Sequence, residues 1–105
     1  MKLYKTTGEI LRKARERKGL LLRHVCAELD VDTAILSKVE RNERRATREQ
    51  ILKLAEILNL DKEELLIQYL SDKILYEIQN EGIGLKALKV AEQKIKYHNK
   101  NNNNG

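Results

Sequence analysis

A chain of 105 residues has room for one small domain, and this one carries 41% hydrophobic residues, 35% charged residues and a net charge of +5. Its single Cys excludes a disulfide framework and a Cys-based zinc site, so Cys26 reads as a small buried apolar group in a reduced compartment. No stretch approaches the roughly 18 apolar residues of a membrane span, and the start MKLYKTTGEI lacks the hydrophobic run of a signal peptide, which predicts a cytoplasmic protein without a membrane partner.

The apolar period is that of helices, and the absence of Pro means that turns must be read from caps and Gly. Thr6-Thr7-Gly8-Glu9 places a Thr three residues before a Glu, a capping box. It predicts a first helix over about 7–18, with Ile10, Leu11 and Ala14 on one face and Gly19 closing it. Leu22, Val25, Cys26 and Leu29 have the spacing of a second helix near 21–29. Asp30-Val31-Asp32 is a short turn, and Asp32 is an N-cap for a third helix near 33–40 that buries Ile35, Leu36 and Val39.

Arg41 to Ala46 has no apolar period and reads as a loop. Thr47, with Gln50 three residues on, opens a helix near 48–58 with Ile51, Leu54, Ala55 and Leu58 inward, and Asn59 suits its left-handed end. Asp61, with Glu64 three residues on, starts a fifth helix through Ile78, with a kink or division expected at Ser71-Asp72. After the turn Glu81-Gly82-Ile83-Gly84, a sixth helix is predicted from Leu85 to about His98. Residues 99–105, ending in NNNNG, are polar low complexity and predict a disordered tail.

Charge is unevenly placed along these elements. Residues 1 to 50 hold thirteen Lys and Arg against eight acids, and residues 51 to 105 hold eight of each. All eight Arg (12, 15, 17, 23, 41, 44, 45 and 48) lie in the first half. Arg in preference to Lys favours a phosphate-binding face, because the guanidinium fork matches phosphate oxygens. Single-stranded nucleic acid is a poor fit, since the basic half offers only Tyr4 as a stacking platform.

Two short helices joined by a tight turn, the second polar in front and apolar behind, form the geometry that enters a DNA major groove. Val25, Leu29, Val31, Leu36 and Val39 are the apolar positions that lock such helices together. They leave Asp32, Thr33, Ala34, Ser37 and Lys38 on the outer face and front end of the third helix. The run GLLLRHVCAELDVDTAILSKVERNERRATREQILKLAEIL resembles the phage-repressor-like (Xre) helix-turn-helix family. The matching residues are Gly19-Leu20, Val25-Cys26, Asp30-Val31, Leu36-Ser37 and Glu40-Arg41-Asn42, within a resemblance that covers roughly residues 6 to 68.

The resemblance implies an all-α fold: a five-helix repressor-like domain over residues 1–68, with the motif at about 21–40. It places Thr33, Ala34, Ser37 and Lys38 where the family reads base edges. Lys38 can donate to guanine O6 and N7, and Ala34 and the Thr33 methyl can touch a thymine methyl. It places Arg41, Asn42, Arg44 and Arg45 where the family grips phosphate, with Arg23 and His24 adding to that grip. Arg15 and Glu40 match a pair that in some relatives forms a buried salt bridge. Asp32 reads as a cap, and His24 and His98, without a ligand cluster, read as surface histidines and not metal ligands. Four departures stand out: Leu22 replaces a common phosphate-binding Gln, Asp30 replaces the turn Gly, Asn42 replaces the Gly after Glu-Arg, and Ala46 replaces a common Pro, which predicts a freer loop.

Residues 69–98 exceed what the DNA-binding core needs. Leu70, Ile74, Leu75, Ile78, Leu85, Leu88, Ala91 and Ile95 at helical spacing suggest a helical hairpin. It either packs back on its own domain or makes a two-fold dimer, and dimerisation is preferred because one short unit buries too little surface for tight specific binding. Tyr69, Leu70, Ile74, Tyr76, Ile78, Leu88 and Ile95 are the expected seam. A homodimer sets two recognition helices roughly 34 Å apart on duplex DNA, which demands a near-palindromic site. The function expected is a repressor or autoregulator, with a restriction–modification controller among the matching layouts. The alternative is an antitoxin or other protein-interaction module, which adds a toxin or RNA polymerase to the expected partners. No cofactor is implied. An enzyme is disfavoured by the lack of a Gly-rich phosphate loop, a nucleophile–base pair and a metal cluster.

Overall fold

A computed structural model of the chain describes residues 5–103. Six helices occupy them, and no strand occurs among the described residues: α1 (Thr7–Arg17), α2 (Leu22–Leu29), α3 (Thr33–Glu40), α4 (Arg48–Ile57), α5 (Lys62–Ile78) and α6 (Gly84–Asn103). Tyr4 lies outside the described residues.

Helix starts are set by acceptors for the N–H groups that lack an intrahelical partner. The Thr6 hydroxyl accepts from the Glu9 N–H at 3.3 Å, and Asp61 accepts from the Glu64 N–H at 2.8 Å. Thr47 and Gln50 cap each other: the Gln50 N–H donates to Thr47 Oγ1 at 3.1 Å, and the Thr47 N–H donates to Gln50 Oε1 at 2.9 Å. Asp32 occupies the N-cap of α3 in an extended conformation, but its carboxylate makes no capping hydrogen bond. The first four helices are followed by Gly19, Asp30, Asn42 and Asn59 at φ of 67°, 60°, 63° and 56°. Asp and Asn are the side-chain-bearing residues that enter this region at least cost, which explains how Asp30 serves where a Gly is common.

α1 packs on α3, and α2 packs on both α3 and α4. Leu11, Val25, Leu36, Ile51 and Leu54 are fully buried between them, and α5 adds Leu65 and Tyr69 to the same core. Leu22 packs against it, so the position of the common phosphate-binding Gln is given over to packing. Ala46 is also buried in this core and anchors the loop after α3, contrary to the freer loop expected from the missing Pro.

The chain divides into two compact units, one reaching Lys73 and one from Ile74 onward. In the first, α5 passes Ser71-Asp72 without the expected break. Asp72 is engaged instead with the start of α1: Thr7 donates to its Oδ2 from the backbone N at 2.8 Å and from Oγ1 at 2.6 Å. Tyr69, expected on a dimer seam, is 7% exposed and belongs to the first unit's core. It lies one turn after Leu65 on the inward stripe, while Lys73 Nζ stands 5.4 Å from its ring centre.

In the second unit Gly84 meets Ile78 so closely that a Cβ would lie 2.8 Å from the Ile78 carbonyl oxygen. α6 runs past His98, where the sequence suggests an end, to Asn103. Residues 99–103 of the expected disordered tail thus lie in the helix, and Asn104 and Gly105 lie outside the described residues. Once a helix is nucleated each added residue contributes a hydrogen bond, and Asn102 and the His98 ring share a further one at 2.9 Å. No helix is long and apolar enough to cross a membrane, among the described residues.

Candidate nucleic-acid interface

α3 has two faces of opposite character. Leu36, Val39 and Glu40 are buried, whereas Thr33, Ala34 and Lys38 are exposed and Ser37 is half-buried. Positions 33 and 37, and 34 and 38, are each four residues apart and 34 and 37 are three apart, so the four share the outward side. A hydroxyl, a methyl and an ammonium thus stand on one rigid surface, the chemistry that major-groove base edges recognise.

The inward side is fixed by an ion pair. Arg15 Nε donates to Glu40 Oε2 at 2.7 Å, and Arg15 Nη2 donates to Glu40 Oε1 at 3.0 Å, a fork against a carboxylate that is 6% exposed. Arg15 Nη1 donates to the Leu20 carbonyl at 2.9 Å, so one guanidinium joins α1, the α1–α2 connection and the end of α3. Hydrogen bonding to Glu40 pushes the Arg15 pKa further above its ordinary value, against an opposing effect of burial. Burial pushes the neighbouring Cys26 thiol up, with the Glu40 and Asp32 charges acting in the same direction.

The candidate phosphate-binding residues divide by what their side chains already do. Arg23, near the start of α2, and Arg44, in the loop, are exposed. Arg45 is exposed too and has interactions of its own. Arg41 is exposed and meets Glu43 at 3.0 Å, a pair that solvent weakens. His24 is engaged within its own helix start, where its Nδ1 accepts the Leu21 N–H at 3.0 Å and Leu21 has no capping oxygen to offer in return. That places the ring's remaining proton on Nε2.

Asn42 has a structural role beside the one expected of it. Its Oδ1 accepts from the Gly8 N–H at 3.3 Å and its Nδ2 donates to Thr6 Oγ1 at 2.7 Å, so both ends of the amide are used on the start of α1. The side chain holds the loop, and the second Nδ2 hydrogen is the donor it has left over. Gly8 is required by this approach, since a Cβ there would lie 2.6 Å from Asn42 Oδ1 and 2.7 Å from the Glu40 carbonyl oxygen. Sequence reasoning also left aside Arg48, exposed in the first turn of α4 directly after the loop. Its signal was its place in the Arg-rich half.

Of the remaining seam residues, Leu70, Ile74, Tyr76, Leu88 and Ile95 are exposed, and Ile78 is half-buried. Leu75, Ile83, Leu85, Val90 and Tyr97 are exposed as well.

A helix-turn-helix family model (HTH_3) matches residues 11–65. No curated protein matches the chain. Among solved structures, one chain of the SinR protein/SinI protein complex is similar, with a TM-score of 0.52 and 20% identity. That match covers 90% of this chain and 99% of the other, and it is a likeness of fold.

Proposed function

The chain belongs to the helix-turn-helix family of the phage-repressor-like (Xre) type, and from that membership we propose that it regulates transcription in the cytoplasm as a homodimer on a near-palindromic duplex operator. The observation that carries this reading is the build of α3. Thr33, Ala34 and Lys38 are exposed on one side, while Leu36, Val39 and the Arg15–Glu40 fork hold the other. A reading helix must be rigid for a misplaced base contact to cost energy, and this one is braced from two directions. Arg23, Arg41, Arg44, Arg45 and Arg48 supply the phosphate grip around it, by a mechanism in which affinity falls as salt displaces the contact.

Dimerisation is supported by the apolar residues of the second unit, of which Ile74, Leu85 and Ile95 are 46%, 76% and 60% exposed. Apolar groups at helical spacing that stay exposed mark a surface for a protein partner. A second copy is the partner that would give so small a reader tight binding, because it doubles the contacts at one cost in positional entropy. We read the action as that of a repressor or autoregulator, including the restriction–modification controller layout.

A second reading rests on the same exposed residues: the surface holds a different chain, as in an antitoxin. The solved likeness is a complex of two proteins, which favours keeping it in view. Selection of bound sequences from a random duplex pool tests the first reading. A palindromic consensus is expected, and no enrichment over random duplex would overturn it. A neighbouring methyltransferase gene favours the controller layout, and a toxin-like neighbour favours the second reading.

A further inference from the structure

The start of α1 is a junction. Its first three N–H groups are satisfied from three parts of the chain: Thr7 by Asp72 of α5, Gly8 by Asn42 of the loop after α3, and Glu9 by Thr6. We infer that Asp72 is a positioning residue for the Arg41–Ala46 loop, holding it through the start of α1 in the place where its arginines meet DNA phosphate. The inference rests on the duplex-binding reading above.

The first link is strong. A carboxylate accepting two hydrogen bonds at a helix N-terminus gains from its charge and from the helix dipole together. Thr7 is 7% exposed, so without Asp72 its hydroxyl and N–H are left in a place where water reaches poorly. The start of α1 must then shift to find partners.

The second link transmits any such shift. Gly8 lies against the carbonyl oxygens of Val39 and Glu40 and against Asn42 Oδ1 with no room for a Cβ. A displaced Gly8 moves the last turn of α3 or the Asn42 amide. Asn42 is itself held at both ends and sits at φ 63°, a conformation that the amide contacts help to keep. Arg41, Arg44 and Arg45 flank it in the loop. With Asn42 displaced, the loop, still held at Ala46, presents these arginines in other positions, and the number of phosphates met at once falls.

An Asp in mid-helix is a poor helix former, and here the cost has a tertiary counterpart in Thr7. The test is a salt titration of the full chain on a mixed-sequence duplex, followed by fluorescence anisotropy. Asp72→Ala is expected to keep a cooperative thermal transition, while the slope of log affinity against log salt falls by about one phosphate contact. Thr7→Val is expected to lower the slope in the same direction, Thr7→Ser to restore it, and the Asp72→Ala/Thr7→Val double variant to fall no further than Asp72→Ala. A lower melting temperature with an unchanged slope would overturn the inference, leaving Asp72 a stability residue alone. If Asp72→Ala does not fold, equal slopes for Thr7→Val and the unaltered chain overturn it as well. Absence of salt-dependent duplex binding by the unaltered chain is a separate result, and it removes the duplex reading and the inference with it.

Discussion

The first unit, up to Lys73, and the second, from Ile74, carry apolar residues at the same helical spacing and put them to different use. In the first, stripes from α1 to α5 cover one another, and Leu11, Val25, Leu36, Ile51 and Leu54 are almost wholly buried. In the second, Leu75, Leu85 and Tyr97 are 54%, 76% and 70% exposed. Charge divides the chain in a similar way, with thirteen basic residues against eight acids in residues 1 to 50 and equal numbers after them. Helical periodicity therefore reports that a face needs cover, and only the fold reveals whether the same chain provides it.

The comparison breaks most sharply if the second unit is removed. A chain ending at Lys73 retains every residue of the buried cluster, from Leu11 to Tyr69, together with Asp72. It is expected to melt cooperatively, to sediment as a monomer, and to bind operator DNA about 10²- to 10⁴-fold more weakly through loss of the linked second reader. A truncated chain that binds as tightly as the full one would show that the second unit does not join two readers.

Most of the first unit was legible because its signals are local. Thr6, Thr47 and Asp61 cap where short polar side chains before an apolar period say they will, and Asn59 and Asp30 turn the chain where helical spacing ends. Contacts between distant residues were not legible. Tyr69 matched the seam period as well as the core period, and only the placement of α5 on the core distinguishes them. Asn42 had the position of a phosphate ligand, yet its amide is used by Thr6 and Gly8, more than thirty positions away in sequence. Asp72 looked like a helix breaker because its partner, Thr7, stands at the other end of the unit. The tail differs for the opposite reason: composition argues for disorder, while helix propagation from α6 extends to Asn103.

Within the covered unit the Arg15–Glu40 fork sharpens the contrast, since it is the point where burial of charge is tolerated. Glu40→Ala leaves a guanidinium that is only 13% exposed without its carboxylate, and the expected loss is about 3–5 kcal/mol by urea denaturation. A comparable change at the exposed Arg12–Glu16 pair, Glu16→Ala, is expected to cost less than about 1 kcal/mol. Equal costs at the two sites would contradict the assigned burial.

On the outward face of α3, substitutions separate reading from gripping. Lys38→Ala is expected to relax preference at one base pair by about 1–3 kcal/mol. Arg44→Ala is expected to weaken all sequences alike and to lower the salt slope by about one. Both are measured on duplexes that differ at single positions. If neither alters duplex binding, the proposed duplex reading fails at α3 and the reading as a protein-interaction module is favoured.

The smallest effect expected belongs to Cys26, which is 5% exposed in the first unit's core. Burial raises its pKa above the ordinary value of 9.0, so the folded chain keeps the thiol proton to higher pH than the unfolded chain does. A group raised on folding contributes its stability fully below the ordinary value and loses it as pH rises through the folded one. Near neutral pH, Cys26→Ala is therefore expected to cost about 1 kcal/mol or less, as a small loss of packing. Above about pH 9 the unaltered chain is expected to lose stability faster than the Ala variant, with a difference in slope of at most about 1.4 kcal/mol per pH unit. Urea unfolding of both chains between about pH 7 and pH 10.5 measures it, and titration of Lys and Tyr, common to both, cancels in the difference. Parallel curves would mean that the thiolate is as well solvated in the folded chain as in the unfolded one, and the covered core would then be open to water at α2.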